Sequence, residues 1–119
     1  MSTKTLGDWG ETVAADFLRQ KGWQILARQV RYSGAELDIV AKDGDTLVFA
    51  EVKTRRGISH GLPAQAVNWR KQKQIIKAAQ IYLDRHNLTN IPCRFDVLEV
   101  YVQPGGSYDI RLMPAAFEA

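Results

Sequence analysis

The stretch that decides the fold reads Ala35-Glu36-Leu37-Asp38-Ile39-Val40-Ala41-Lys42, then Asp43-Gly44-Asp45, then Leu47-Val48-Phe49-Ala50-Glu51-Val52-Lys53. Two apolar-rich segments of strand length flank a Gly/Asp break, which predicts a β-hairpin. Acidic and basic groups nevertheless sit inside both strands, where a sheet gains nothing from them. Such a local conflict usually marks chemistry.

Side chains alternate along a strand, so Glu51 and Lys53 share one face, as do Glu36 and Asp38. A two-residue loop at Asp43-Gly44 sets Glu51 opposite Glu36, whereas one at Gly44-Asp45 sets Asp38 opposite Glu51. Either loop is expected to gather Glu36, Asp38, Glu51 and Lys53 on one face, with Leu37, Ile39, Ala41, Val48, Ala50 and Val52 on the other. An odd-membered loop would separate the charged groups. Adjacent carboxylates repel, and a hard divalent cation such as Mg²⁺ or Mn²⁺ holds them together through oxygen ligands while keeping several waters. Lys53 beside them can orient a water or offset charge on a phosphate, a set of groups that suits phosphodiester hydrolysis. With five Glu and seven Lys in 119 residues, Glu-x-Lys alone is a weak signal. A salt-bridge ladder on a solvated sheet face would give the same spacing.

The length of 119 residues fits one domain spanning 1–119. No apolar run reaches membrane-spanning length, the N-terminus lacks a signal-peptide pattern, and the single cysteine, Cys93, excludes an internal disulfide or a cysteine-based zinc site. These features lead to the expectation of a cytoplasmic protein without membrane partners. The net charge of +3 is segregated. From Val52 to Leu83 there is no acidic residue, while Lys53, Arg55, Arg56, Arg70, Lys71, Lys73 and Lys77 all fall there. Contact with a phosphate backbone requires such segregation, so nucleic acid is the expected partner. The plainer alternative is a solvated helix face.

Periodicity predicts a helix over 4–21 with Leu6, Gly10, Val13, Ala14, Phe17 and Lys21 inward and Leu18 at the edge. Glu11 projects beside that stripe and needs a partner: a metal, a backbone amide or an arginine. A first strand is predicted over 23–31 with Ile25 and Leu26 buried. Gly57–Pro63 is a glycine-punctuated loop, the most mobile element and a candidate to close over substrate; its His60 reads as a phosphate contact or bystander. Asn68 is the expected N-cap of a helix from Trp69 to about His86, with Gln72, Ile75, Ile76, Ala79, Tyr82 and Leu83 inward. Strands follow at 94–102 and 108–113, with Arg94 and Asp96 able to pair on one face; the tail from Pro114 carries no readable pattern. The order helix, three strands, helix, two strands predicts an α/β (α+β) fold with a mixed sheet.

Three runs, Gly34-Ala35-Glu36-Leu37-Asp38, Phe49-Ala50-Glu51-Val52-Lys53-Thr54-Arg55 and Arg94-Phe95-Asp96-Val97, fall in order with Gly7-x-x-Gly10-Glu11 and the helix opening at Val67–Lys71. In this the chain resembles the bacterial YraN family and, more distantly, archaeal Holliday junction resolvases of the PD-(D/E)xK nuclease superfamily. The resemblance covers nearly the whole length. It implies a restriction-endonuclease-like core of about five strands flanked by helices. It also implies Asp38 and Glu51 as metal ligands, Lys53 as the water-orienting or charge-stabilising group, and Glu11 as a further acidic site residue. No proline precedes Asp38, and Ala35 stands where the family usually has a second glycine. The expected function is a Mg²⁺- or Mn²⁺-dependent endonuclease acting on DNA, branched or junction DNA included. Arg55, Arg56, Arg70, Lys71, Lys73 and Lys77 would grip the backbone. The alternatives are a non-catalytic nucleic-acid-binding module of the same fold, serving DNA repair or processing, and RNA in place of DNA. Cutting two strands of a junction favours a homodimer.

Overall fold

Ser2 opens helix α1 (Thr3–Gln20) by accepting the Thr5 N–H on its hydroxyl at 3.1 Å, and Asn68 opens α2 (Trp69–Arg85) through the Lys71 N–H at 2.9 Å. Each bond satisfies a donor that the first helical turn leaves without a partner. The structure, a computed structural model, describes residues 2–57 and 67–119; the glycine loop beyond Gly57, including His60, lies outside the described residues. After α1 come β1 (Gln24–Tyr32), β2 (Ala35–Asp43) and β3 (Thr46–Arg56), and after α2 come β4 (Cys93–Val102) and β5 (Tyr108–Phe117). They form one sheet in the order β1-β2-β3-β4-β5, antiparallel except for the parallel pair β3 and β4. Parallel neighbours need a long crossover, and α2 lies within it. The result is an α+β fold, a five-stranded mixed sheet with two helices, consistent with a restriction-endonuclease-like core.

Each helix buries one side of the sheet. Under α2, Ile75, Ala78, Ala79 and Tyr82 pack on Val40, Leu47, Phe49, Phe95 and Val97. Under α1, Ala14, Ala15 and Leu18 pack on Ile39, Ala41, Val48, Ala50, Leu98 and Val100. Both stripes are rotated by about one residue from the expected ones. On α1 the buried set is Leu6, Gly10, Glu11, Ala14, Ala15 and Leu18, whereas Val13 and Phe17 are half-buried and Lys21 is exposed. Leu26 is exposed, contrary to expectation, because a bulge between Ile25 and Ala27 turns it outward. The last strand runs on through Pro114 to Phe117, where periodicity gave no signal.

Gly10 marks the closest approach of α1 to β3. A Cβ there would lie 1.8 Å from Thr54 Oγ1 and 2.8 Å from Thr54 Cβ, so the early glycine of the Gly7-x-x-Gly10-Glu11 run has a steric role. Gly10→Ala is expected to force the helix off the strand and cost about 1–3 kcal/mol, as overpacking does. Urea unfolding reads the loss, and Thr54→Gly in the same chain should recover part of it. An unchanged midpoint in Gly10→Ala would show that α1 shifts without cost.

Candidate metal centre at the fork of the sheet

The β2–β3 ladder starts at Asp43↔Thr46, around a loop at Gly44-Asp45, and runs to Ile39↔Ala50. Beyond that pair the strands part. The first residues of β2 stay with β1 (Leu37↔Val30 to Ala35↔Tyr32), while β3 goes on with β4 (Glu51↔Val97 to Arg56↔Val102). At the fork Asp38 comes level with Glu51, as one of the two even-membered loops requires. The Asp38 carboxylate then replaces the missing ladder partner by accepting the Val52 N–H on Oδ2 at 2.9 Å. A backbone donor that divergence would orphan is satisfied by the side chain that makes the site.

Alternation breaks at the same residue. Leu37 joins the cluster under α2, whereas Ile39 and Ala41 join the cluster under α1. Leu37 therefore does not share a face with Ile39, contrary to the expected pattern. Glu36 ion-pairs with Arg31 across the β1–β2 ladder at 3.6 Å, and its charge acts on Glu11.

Glu51 is 5% exposed. Burial first, and then the Asp38 charge together with a hydrogen bond between the two carboxyl groups, push its pKa up to about 8; the Lys71 and Lys53 cations oppose the shift. Near neutral pH Glu51 therefore keeps its proton when no other cation is present. Lys71 Nζ stands 3.8 Å from Glu51 Oε1. Among the described residues no three His, Cys, Asp or Glu side chains converge on one point. Two adjacent carboxylates match the habit of Mg²⁺, which binds through one or two carboxylates. Asp38 and Glu51 thus fit a hard divalent cation, and a cation there would replace the Glu51 proton.

Glu11 stands on the other side of the fork, 6% exposed, with Arg28 Nε donating to its Oε1 at 3.2 Å. Burial and the Asp38 charge raise its pKa, and the Arg28 bond opposes them. Of the three partners open to it from sequence, the structure supplies the arginine. Arg28 is held in turn by Thr12 Oγ1 at 3.0 Å.

The family described as "Uncharacterised protein family UPF0102" matches residues 10–100, a span that contains the whole fork. The chain belongs to this family. A UPF0102 protein of Symbiobacterium thermophilum is 45% identical over 98% of this chain and 99% of its own length. One of Syntrophotalea carbinolica is 48% identical over 96% of this chain and 92% of its own, and one of Clostridium botulinum is 44% identical over 97% and 95%. The resemblance to the YraN family drawn from the motifs is thereby shown.

In this UPF0102 member the cationic residues do not form one surface. Arg55 lies on the face of β3 that carries Glu51 and Lys53, and is exposed. Arg56, exposed and one residue on, takes the opposite face, and Arg70 is exposed on the first turn of α2. Lys73 Nζ sits 4.3 Å from the centroid of the Trp69 ring, with Lys77 one turn on, both on the flank turned away from Glu51. Lys71 alone of the α2 cations turns to the site. It belongs to the sheet-facing row Lys71, Ile75, Ala78, Tyr82, a spacing of four, three and four that was readable in the sequence.

Glu99 has no role in the expectations drawn from sequence. It lies next to Lys53 in the β3–β4 register, is 3% exposed, and accepts the Tyr101 hydroxyl hydrogen bond. Its signal was a carboxylate inside the otherwise apolar run Val97-Leu98-Glu99-Val100.

Proposed function

We propose that the protein is a divalent-cation-dependent endonuclease that hydrolyses phosphodiester bonds in DNA, with branched or junction DNA as its substrate. The observation that carries this reading is the convergence, at one fork, of the buried Glu51 with Asp38 and two lysines. A stability-driven fold gains nothing from such a pair, because burying like charges together is unfavourable. Mg²⁺ or Mn²⁺ held by Asp38 and Glu51 would polarise a phosphoryl oxygen and supply hydroxide at neutral pH. Lys53 orients the attacking water or balances charge growing on the phosphate. Lys71 steadies the Glu51 carboxylate, and Arg55 on the same face meets an adjoining phosphate.

The test is cleavage of labelled four-way junction, flap and duplex DNA with Mg²⁺ or Mn²⁺. The wild type is expected to cut, Asp38→Asn and Glu51→Gln to fall to background, and Lys53→Ala to lose about 10²–10³-fold in rate, as loss of one charge-stabilising donor does. Equal cutting by all four proteins would eliminate this mechanism. Binding without cutting by the wild type would point to the non-catalytic module instead.

A further inference from the structure

We propose that the outer flank of α2 is a subsite for single-stranded nucleic acid, where an unpaired base stacks on Trp69 and the adjoining phosphates lie on Lys73 and Lys77. This rests on the nuclease reading for its partner, and it adds a substrate class: nucleic acid with an unpaired segment beside the bond attacked.

Trp69 is the most exposed large apolar side chain among the described residues, 69% against 46% for Tyr108 and 40% for Leu26. An exposed indole offers a ring face on which a base can stack. Here it borders a groove of about 410 Å³ with Ile76 and Gln80 along the helix, Lys73 and Lys77 as its cations, and Glu118 on the far wall. Lys73 Nζ, 4.3 Å from the ring centroid, holds the indole as a flat platform. Lys73 and Lys77 follow one another by one helical turn, about 6 Å along the axis, comparable to the step between phosphates of an extended strand. Aromatic platform plus tracking cations is how single strands are gripped without sequence preference.

Charge chooses the occupant. From Trp69 to Leu83 the helix carries four cations and no carboxylate, so an anionic polymer fits and a basic segment does not. Glu118 repels phosphate from the far wall, which places the backbone over the lysines and the base toward Trp69. Bases stacked inside a duplex cannot reach an indole on a helix flank, whereas an unpaired base can. Trp69 and Lys71 are two residues apart and so point to opposite sides of α2. A strand leaving the Glu51–Lys71 side would cross the first turn of the helix to reach the platform.

The experiment uses the full chain in EDTA, so that nothing is cut, with a short oligothymidylate and a duplex of equal length as probes. Binding is read by anisotropy and by tryptophan fluorescence. Trp69→Ala is expected to weaken the single strand about tenfold or more and to leave the duplex within about twofold, with most of the loss restored by Trp69→Phe. Lys73→Ala should lower the salt slope of single-strand binding by about one. Unchanged single-strand affinity in Trp69→Ala, equal loss on both probes, or a Trp69 signal evoked by polyglutamate but not by the oligonucleotide would overturn the subsite. Wild-type binding to neither probe would overturn the subsite, while cutting of junction DNA by the same protein with Mg²⁺ would show that the nuclease reading stands. Strong duplex binding that ignores Trp69 would remove the subsite alone.

Discussion

Replacing Glu51 with glutamine is expected to stabilise the metal-free protein at pH 8.5, by about 2–3 kcal/mol, while it abolishes stabilisation by Mg²⁺. The sign follows from the direction of the shift. In the unfolded chain Glu51 releases its proton near its ordinary value of 4.5, whereas in the folded chain it holds it to about 8. Between those values the folded state binds more protons, so stability falls as pH rises. The contribution is complete below about pH 4.5 and is lost by about pH 8, at 1.36 kcal/mol per unit, an upper limit of about 5 kcal/mol before the site relaxes. Glutamine has no charge to bury and keeps a hydrogen bond to Asp38. Lys71, whose side chain is 36% exposed, can turn to water when Glu51 is gone. Urea unfolding of both proteins at pH 5 and 8.5, with EDTA and with Mg²⁺, measures all of this. The wild type should weaken between the two pH values and regain stability with Mg²⁺ at the higher one. The variant should do neither. A Glu51→Gln protein with the wild-type pH dependence would show that this carboxyl is not the group under strain.

That test bears on how the site could be read from the sequence at all. Asp38, Glu51 and Lys53 were legible because strand alternation and a Gly/Asp turn leave few registers, and Gly44, at φ 59°, takes the left-handed position that glycine adopts without strain. Asp38 level with Glu51 was one of the two even registers. What alternation could not reveal is that β2 and β3 part at that residue, because divergence depends on β1 and β4 competing for their edges. The flip that takes Leu37 under α2 follows from it. Lys71 was legible as a cation for the backbone, but its contact with Glu51 was not, although its spacing from Ile75, Ala78 and Tyr82 places it in the sheet-facing row. The rotation of both helix stripes has one consequence for function, since it brings Glu11 and Lys71 to the sheet. The strand after Pro114 was unreadable because its pairing is set from outside, by the acidic residue it crosses.

That residue is Asp96, and its removal should do the most damage to the fold. Asp96→Ala is expected to cost about 3–5 kcal/mol, the range for breaking a buried ion pair from one side. Asp96 is fully buried, takes Arg94 Nε at 2.9 Å and Nη2 at 3.0 Å, and accepts the Ala115 N–H at 2.9 Å. The β4–β5 register shifts between Phe95 and Val97, and Ala115, at φ 50°, lies in the extra stretch opposite, so the carboxylate fastens a bulge that no ladder bond could close. Arg94 carries the same latch to Asp43 at 3.2 Å and over the Trp23 ring at 5.2 Å, tying the hairpin turn and the start of β1 to β4. Arg94-Phe95-Asp96-Val97 thus marks a structural clamp built on the pair that sequence allowed, and this role is separable from that of Asp38 and Glu51. Asp96→Asn keeps an acceptor for Ala115 and should lose less stability than alanine, with cleavage and Mg²⁺ stabilisation unchanged below its melting temperature. The double substitution Arg94→Met with Asp96→Leu removes both charges together and should recover part of the alanine loss. Loss of Mg²⁺ stabilisation in a folded Asp96→Asn protein would move this carboxylate from the clamp into the candidate metal site.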